Sequence, residues 1–84
     1  MDVRRRVGLN VKAVRTERGL SQEELAFTCR VHRTYISGVE RGVRNPTIVV
    51  LEKIATALEV PASRLLDEVG PTRSNRKGAE RQDP

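Results

Sequence analysis

Residues 21–42, which read SQEELAFTCRVHRTYISGVERG, constrain the fold more than any other part of the chain. They begin with Ser21 and Glu24, the S-x-x-E pattern of a capping box, in which each side chain accepts a hydrogen bond from the other residue's backbone N–H. The apolar residues that follow have the spacing of one face of a short helix; they are Leu25, Ala26 and Cys29. The pattern predicts a helix over residues 22–29.

A second short helix is predicted after a break in this pattern. Residues 30–32 carry no helical stripe, and apolar residues resume at Ile36 and Val39. Two short helices joined by a tight turn form the helix-turn-helix arrangement, whose second helix can lie in the major groove of DNA. The outward residues of this second helix are one cation, two hydroxyls and one glycine, which suit close approach to a polyanion; they are Arg33, Thr34, Ser37 and Gly38.

With further matches outside this stretch, the chain resembles the lambda-repressor and Cro-like (Xre-type) helix-turn-helix family. The matching motifs include GLSQ, ERG and NPT, and the resemblance covers roughly residues 5–69. The segment HRTYISGVERGVRN is especially similar to the controller proteins of restriction–modification systems. The resemblance implies an all-α fold, a compact bundle of about five short helices that contains the helix-turn-helix.

The remaining helices can be placed from apolar spacing and cap residues. The first is predicted over residues 2–18 and the fourth after Thr47, with a broad apolar face of which part is free for a partner. A last short helix is predicted over residues 62–69, with Leu65 and Leu66 inward. We therefore predict a DNA-binding domain over residues 1–70 and a basic, disordered tail over residues 71–84, which has almost no apolar residues.

Base contacts are predicted from the second helix of the motif. Arg33 at its start can donate two hydrogen bonds to O6 and N7 of guanine. Thr34 can offer its hydroxyl to a phosphate or a base, and Ser37 is small, polar and one turn further on. The alternative for these side chains is simple exposure to solvent. In the resembling controller proteins, the arginine that matches Arg44 also reaches a base.

Contacts with the DNA backbone are predicted around the same helix. Gln22 lies at a helix N-terminus, where backbone amides favour phosphate, and the family uses the matching glutamine in this way. His32 is a poor N-cap that can instead touch a phosphate, and Tyr35 can pack its ring while its hydroxyl reaches the backbone. The family runs the next loop beside the DNA, which implies phosphate contacts for Arg41 and Asn45.

The resemblance also implies contacts within the protein. In the family, the arginine that matches Arg15 pairs with the glutamate that matches Glu40, which ties the first helix to the third. Where many members place glycine, this chain has Arg30, which we expect to adopt a positive φ. Members commonly dimerise through helices four and five, which implies a homodimer contact formed by Leu58, Val60, Leu65, Leu66 and Val69.

Glu23 has two interpretations. It matches a position that some activating family members present to RNA polymerase, which implies that the polymerase is a second protein partner. The alternative is that its carboxylate only complements the dipole of the helix that it begins.

Composition excludes several other classes of protein. Of the 84 residues 32% are charged, and the net charge of +5 favours nucleic acid or an acidic membrane as partner, unless it reflects only a solvated face. No apolar run approaches the ~18 residues of a membrane span. The N-terminus lacks a signal peptide and a single cysteine excludes an internal disulfide, so we predict a cytoplasmic protein.

Two classes of function therefore remain, and neither is enzymatic. With one histidine, one cysteine and no phosphate-cradling glycine loop, the chain offers no catalytic site, metal site or cofactor site. The leading hypothesis is a transcription regulator that binds a (pseudo)palindromic operator in double-stranded DNA as a homodimer, as a restriction–modification controller protein does. The alternative is an antitoxin or adaptor whose main partner is another protein. The cationic, hydroxyl-bearing second helix favours DNA over that alternative.

Overall fold

The computed structural model describes residues 1–69, which form four α-helices and one 3-10 helix. They are α1 (Val3–Glu17), α2 (Gln22–Cys29), α3 (Arg33–Glu40), α4 (Ile48–Leu58) and the 3-10 helix Ala62–Leu66. No strand occurs in this part of the chain, so the all-α prediction is confirmed. None of these helices is long and apolar enough to cross a membrane. The tail predicted over residues 71–84 lies outside the described residues.

Each α-helix begins at a side chain that accepts a hydrogen bond from a backbone N–H of the first turn. Ser21 Oγ accepts from the Glu24 N–H at 2.9 Å, and Glu24 Oε1 accepts from the Ser21 N–H at 2.7 Å, which completes the predicted capping box. Asp2 and Thr47 cap α1 and α4 in the same way. These caps satisfy N–H groups that have no partner inside the helix, and so they define where each helix starts.

The turn between α2 and α3 depends on one strained residue. Arg30 ends α2 with a φ of 61°, as its place in the turn led us to expect. A left-handed conformation costs a residue with a Cβ roughly 1–2 kcal/mol, so packing on both sides must hold the turn in place. The exposed Arg30 side chain points away from the core.

The core lies at the centre of all five helices, with α3 packed against α1 and α2. Its fully buried side chains come from every helix; the largest are Leu25, Ile36, Ile54, Leu58 and Leu65. Because Leu58 and Leu65 have no exposed surface, the prediction that their side chains form the dimer contact was wrong. Helix α4 packs on α2 and on the 3-10 helix. One face of α3 remains exposed to solvent and free for a partner.

Buried Asn10 determines how the chain ends its helical part. Its side-chain amide donates to the carbonyl oxygens of Leu65 at 3.0 Å and Asp67 at 2.9 Å. The helix predicted over residues 62–69 ends at Leu66 instead, and the carbonyl of Leu65, which a helix continuing to residue 69 would use internally, is bonded to α1. Leu66 was predicted to point inward, but it is 41% exposed.

Gly8 allows the backbones of α1 and α3 to touch. A Cβ atom built on Gly8 would lie 2.6 Å from the carbonyl oxygen of Glu40 and would also overlap the carbonyl oxygen of Val39. Both neighbours are backbone atoms, which cannot move without displacing α3 itself. The close approach of these two helices therefore requires glycine at this position.

We predict that Gly8→Ala lowers the free energy of unfolding by about 1–3 kcal/mol, the usual cost of overpacking a core, even though alanine favours helix more than glycine does. Urea denaturation followed by circular dichroism measures the change. Lys12→Ala, at an exposed position of the same helix, serves as the control and should leave stability nearly unchanged. Equal stability of the two variants would contradict the proposed contact between the helices.

Candidate nucleic-acid interface

The free face of α3 carries the polar side chains that the sequence predicted to read DNA. Arg33 and Thr34 are exposed at its start, and Ser37 is half-buried one turn further on. On the opposite face Ile36 and Val39 are fully buried. The helix is therefore anchored by its apolar side and presents a cationic and hydroxyl-bearing side to solvent, which is the arrangement that a major-groove helix requires.

His32 caps α3 through its ring. Its Nδ1 atom accepts a hydrogen bond from the Thr34 N–H at 3.2 Å and lies 2.9 Å from the Thr34 hydroxyl oxygen. Because Nδ1 is the acceptor, the neutral ring carries its proton on Nε2. That N–H is a suitable donor for a phosphate oxygen, and the same contact fixes the Thr34 hydroxyl at the start of the helix.

The loop after α3 folds back over the helix and brings Arg44 to the same face. The backbone N–H groups of Val43 and Arg44 both donate to the carbonyl oxygen of Gly38, at 2.9 and 3.1 Å. The Arg44 guanidinium carbon lies 5.7 Å from the centroid of the Tyr35 ring, within the range of a cation–π contact. Gly38, predicted to face outward, is instead buried beneath Arg44, because the returning loop covers it.

Two further predicted contacts lie beside this face. Arg41 is exposed, and its Nε atom donates to the hydroxyl of Ser37 at 3.4 Å. Asn45 is exposed in the loop that follows. Exposed cations therefore lie at the start of α3, at its end and in the loop after it; they are Arg33, Arg41 and Arg44.

A buried hydrogen-bond network holds α3 from behind. Arg15 donates from Nε to Glu40 Oε2 at 2.6 Å and from Nη2 to Glu40 Oε1 at 3.0 Å, so the implied ion pair is present and bidentate. Arg15 Nη1 also donates to the carbonyl oxygen of Leu20 at 2.8 Å. Only 8% of Glu40 is exposed, and its hydrogen bonds raise the pKa of Arg15 further. The pair joins α1, the turn before α2 and the end of α3.

Gln22 belongs to this network, which the sequence did not indicate. Its Nε2 atom donates to Glu40 Oε1 at 2.9 Å. The amide has a second N–H, which remains available for a phosphate. Gln22 and Glu40 are 18 residues apart, so no local sequence pattern links them. The contact follows only from the packing of α2 against α3.

The predicted partner surfaces are only partly exposed. Of the five residues predicted to form a dimer contact, Leu66 is exposed and Val60 and Val69 are half-buried, while the other two lie in the core. On α2, Glu23 is exposed and Phe27, one turn on, is 85% exposed. No role for this phenylalanine was predicted, although the helical spacing from Leu25 and Ala26 to Cys29 leaves Phe27 off the apolar face.

Cys29 has a structural position. It is buried, and desolvation raises the pKa of its thiol, which keeps it protonated at neutral pH. Within residues 1–69 no group of three or more His, Cys, Asp or Glu side chains is arranged to hold a metal ion.

Comparisons with known proteins match most of the helical part of the chain. The helix-turn-helix family model matches residues 11–65. Control protein C.BamHI of Bacillus amyloliquefaciens is 46% identical over 67 residues, which are 79% of this chain and 83% of that protein. The crystal structure of a hypothetical transcription factor, NHTF, from Neisseria has a TM-score of 0.75 at 45% identity, covering 77% of this chain and 75% of its own.

A second solved structure extends this likeness to the controller proteins. The restriction-modification controller protein C.AhdI from Aeromonas hydrophila has a TM-score of 0.72 at 44% identity. The match covers 74% of this chain and 94% of that protein. The residues that the family model matches run from within α1 into the 3-10 helix.

We predict that Arg15→Met lowers the free energy of unfolding by about 3–5 kcal/mol, because it leaves the buried Glu40 carboxylate without its cation. Chemical denaturation measures the loss. Arg4→Ala breaks an exposed pair with Asp2 and should cost under about 1 kcal/mol. The double variant Arg15→Met, Glu40→Leu should regain much of the stability, since no buried charge is left unpaired. A single-variant loss no larger than that of Arg4→Ala would show that the pair does not hold α3.

Proposed function

This chain belongs to the helix-turn-helix family and is a DNA-binding transcription regulator similar to restriction–modification controller proteins, and we propose that it acts as a homodimer on a (pseudo)palindromic operator. The observation that carries the proposal is the free face of α3, which presents Arg33, Thr34 and Ser37 and across which the following loop lays Arg44. Each copy places this face in a major groove, with half-sites about one helical turn (~34 Å) apart.

In this proposal the base contacts come from Arg33, Thr34, Ser37 and Arg44. Both arginines can donate two parallel hydrogen bonds to guanine, which is the commonest specific contact in the major groove. Thr34 and Ser37 are short, so they can reach a base edge only where α3 seats closely. The buried apolar side of α3 sets that distance, because it fixes the helix against α1 and α2.

The backbone contacts surround these readers and position them. Gln22 and the Nε2 atom of His32 offer N–H donors on one side, and the Tyr35 hydroxyl, Arg41 and Asn45 offer donors on the other. Such contacts carry no sequence information directly, but they supply much of the affinity through the release of counterions. Binding should therefore weaken steeply as salt concentration rises.

The homodimer in this proposal uses the surface around the 3-10 helix. Leu66, 41% exposed, forms its centre, with Val60 and Val69 half-buried beside it. Leu58 and Leu65 support this surface from the core beneath it. A small domain with a modest core gains stability when such apolar side chains are covered by a second copy.

The proposed biological role is control of a restriction–modification system. It is supported by the names of the similar proteins C.BamHI and C.AhdI, which are control or controller proteins. A restriction or methylation gene beside the gene of this chain would support this role. A toxin gene in that place would favour the antitoxin alternative, on which the main partner is another protein.

Selection of bound sites from random duplex DNA at moderate salt, followed by sequencing, tests the proposal. A recovered palindrome with half-sites about one turn apart is the expected result. Recovery without any sequence preference would contradict the proposal and would favour a protein partner instead. Sedimentation of the complex with the recovered site then gives the number of chains bound per operator.

We predict that Arg33→Ala relaxes the preference at one base position in each half-site and weakens binding to the operator by about 1–3 kcal/mol. The measurement is a titration of operator DNA and of variants with a single base pair changed. Arg30→Ala, at an exposed arginine of the preceding turn, is the control and should leave the base preference unchanged. Uniform weakening on all sequences by Arg33→Ala would make Arg33 a phosphate contact.

We also propose that α2 presents Glu23 to RNA polymerase when the regulator activates transcription. Glu23 and Phe27 lie one turn apart, and Phe27 is 85% exposed. An exposed carboxylate beside an exposed aromatic ring suits a protein partner better than DNA, which carries the same sign of charge.

We predict that Glu23→Lys lowers transcription from the target promoter while leaving operator affinity unreduced, because the substitution removes the carboxylate offered to the polymerase but adds positive charge beside Gln22, where DNA binding is not weakened by it. Transcript level and DNA affinity are measured on the same variants. Glu17→Lys makes the same change of charge at an exposed position of α1 and should leave both unchanged. Unchanged transcription with Glu23→Lys would rule out this contact.

A further inference from the structure

Gly38 and Arg44 are in unusually close contact. A Cβ atom built on Gly38 would lie 2.5 Å from Cγ of Arg44, and 3.5 and 3.6 Å from its Cβ and Cδ atoms. The stem of the arginine, not its flexible tip, therefore crosses the helix at the place where glycine has no side chain. Any other residue at this position would have to displace the stem of Arg44 near its root.

The backbone of the loop cannot easily move Arg44 out of the way. The backbone N–H groups of Arg44 and Val43 both donate to the carbonyl oxygen of Gly38, at 3.1 and 2.9 Å. The guanidinium lies over the Tyr35 ring, one turn before Gly38 on α3. The Arg44 side chain is thus held at three places: at its backbone by the loop, at its stem by Gly38 and at its guanidinium by Tyr35.

From this contact we infer that Gly38 is a specificity-determining position that acts through Arg44. The missing side chain lets the arginine lie flat across α3, so that its guanidinium reaches the DNA-facing side in a fixed direction. Gly38 itself is buried beneath Arg44 and has no side chain to offer a base. The inference rests on the proposed base contact of Arg44, and it makes Gly38 a positioning residue for that contact.

A rival explanation assigns the glycine to helix packing alone, as at Gly8. The two glycines differ in their neighbours. A Cβ on Gly8 meets backbone atoms of another helix, whereas the atoms nearest to a Cβ on Gly38 all belong to the Arg44 side chain. Alanine at Gly38 should therefore redirect one side chain and leave the fold intact, since alanine also favours helix more than glycine does.

The experiment compares Gly38→Ala, Arg44→Ala and the double variant on the operator recovered by site selection. Arg44→Ala first identifies the base pair whose preference it abolishes, and the operator changed at that base pair is the second probe. Discrimination is the ratio of the two dissociation constants. We expect Gly38→Ala to lower this ratio by about tenfold, within the range of a lost bidentate base contact, with a urea midpoint no lower than that of the wild type.

The double variant separates positioning from other effects. If Gly38 acts through Arg44, discrimination in the double variant equals that of Arg44→Ala alone, because the alanine has no arginine left to redirect. Thr56→Ala, at an exposed position of α4, controls for substitution as such. Tyr35→Leu provides a second test that leaves Gly38 in place, and it should lower discrimination at the same base pair.

Four results would overturn the inference. One is wild-type discrimination by folded Gly38→Ala; another is a further loss when Gly38→Ala is added to Arg44→Ala. If Gly38→Ala does not fold, unchanged discrimination at that base pair by Tyr35→Leu is the third. The inference also fails if the wild-type chain shows base preferences but none of them is lost in Arg44→Ala. A chain with no base preference at all contradicts the proposed function itself, so the two failures can be told apart.

Discussion

The bidentate pair between Arg15 and Glu40 is the interaction on which the orientation of α3 depends. Glu40 is the last residue of α3 and is 8% exposed, so its carboxylate has lost most of its water. Arg15 and Gln22 replace that water with three hydrogen bonds from α1 and α2. A buried pair of this kind contributes little net stability, but its fixed geometry permits one arrangement of the three helices and penalises others.

This constraint matters because α3 is too short to be stable on its own. It has eight residues, well below the ~12–15 at which isolated helices become marginal in water. Its position is therefore set by its surroundings: the cap of His32 at its start, the burial of its apolar side, and the Gly8 contact and the ion pair at its end. A surface that reads base edges needs such support, since a small displacement removes a short side chain such as Ser37 from reach.

How far the sequence could predict the structure follows from the distance over which each signal acts. The capping box of Ser21 and Glu24 and the buried stripe of α3 are local, and the helices they predict are present. The early end of the last helix coincides with a hydrogen bond from Asn10, 55 residues before the carbonyl group of Leu65 that accepts it. The burial of Gly38 depends on a loop that folds back onto α3. Neither the early helix end nor this loop can be predicted from the spacing of apolar residues.

The two arginines proposed to contact bases are held in different ways, and this difference bears on how recognition is divided between them. Among the described residues, no hydrogen bond or ion pair fixes the side chain of Arg33, whereas Arg44 is stacked on Tyr35 and lies across Gly38. Ordering a free arginine costs roughly 1.5–2 kcal/mol of side-chain entropy, much of which Arg44 has already lost in the free protein. A contact made by Arg44 therefore retains more of its binding energy, while Arg33 keeps the freedom to adapt to the base that it meets.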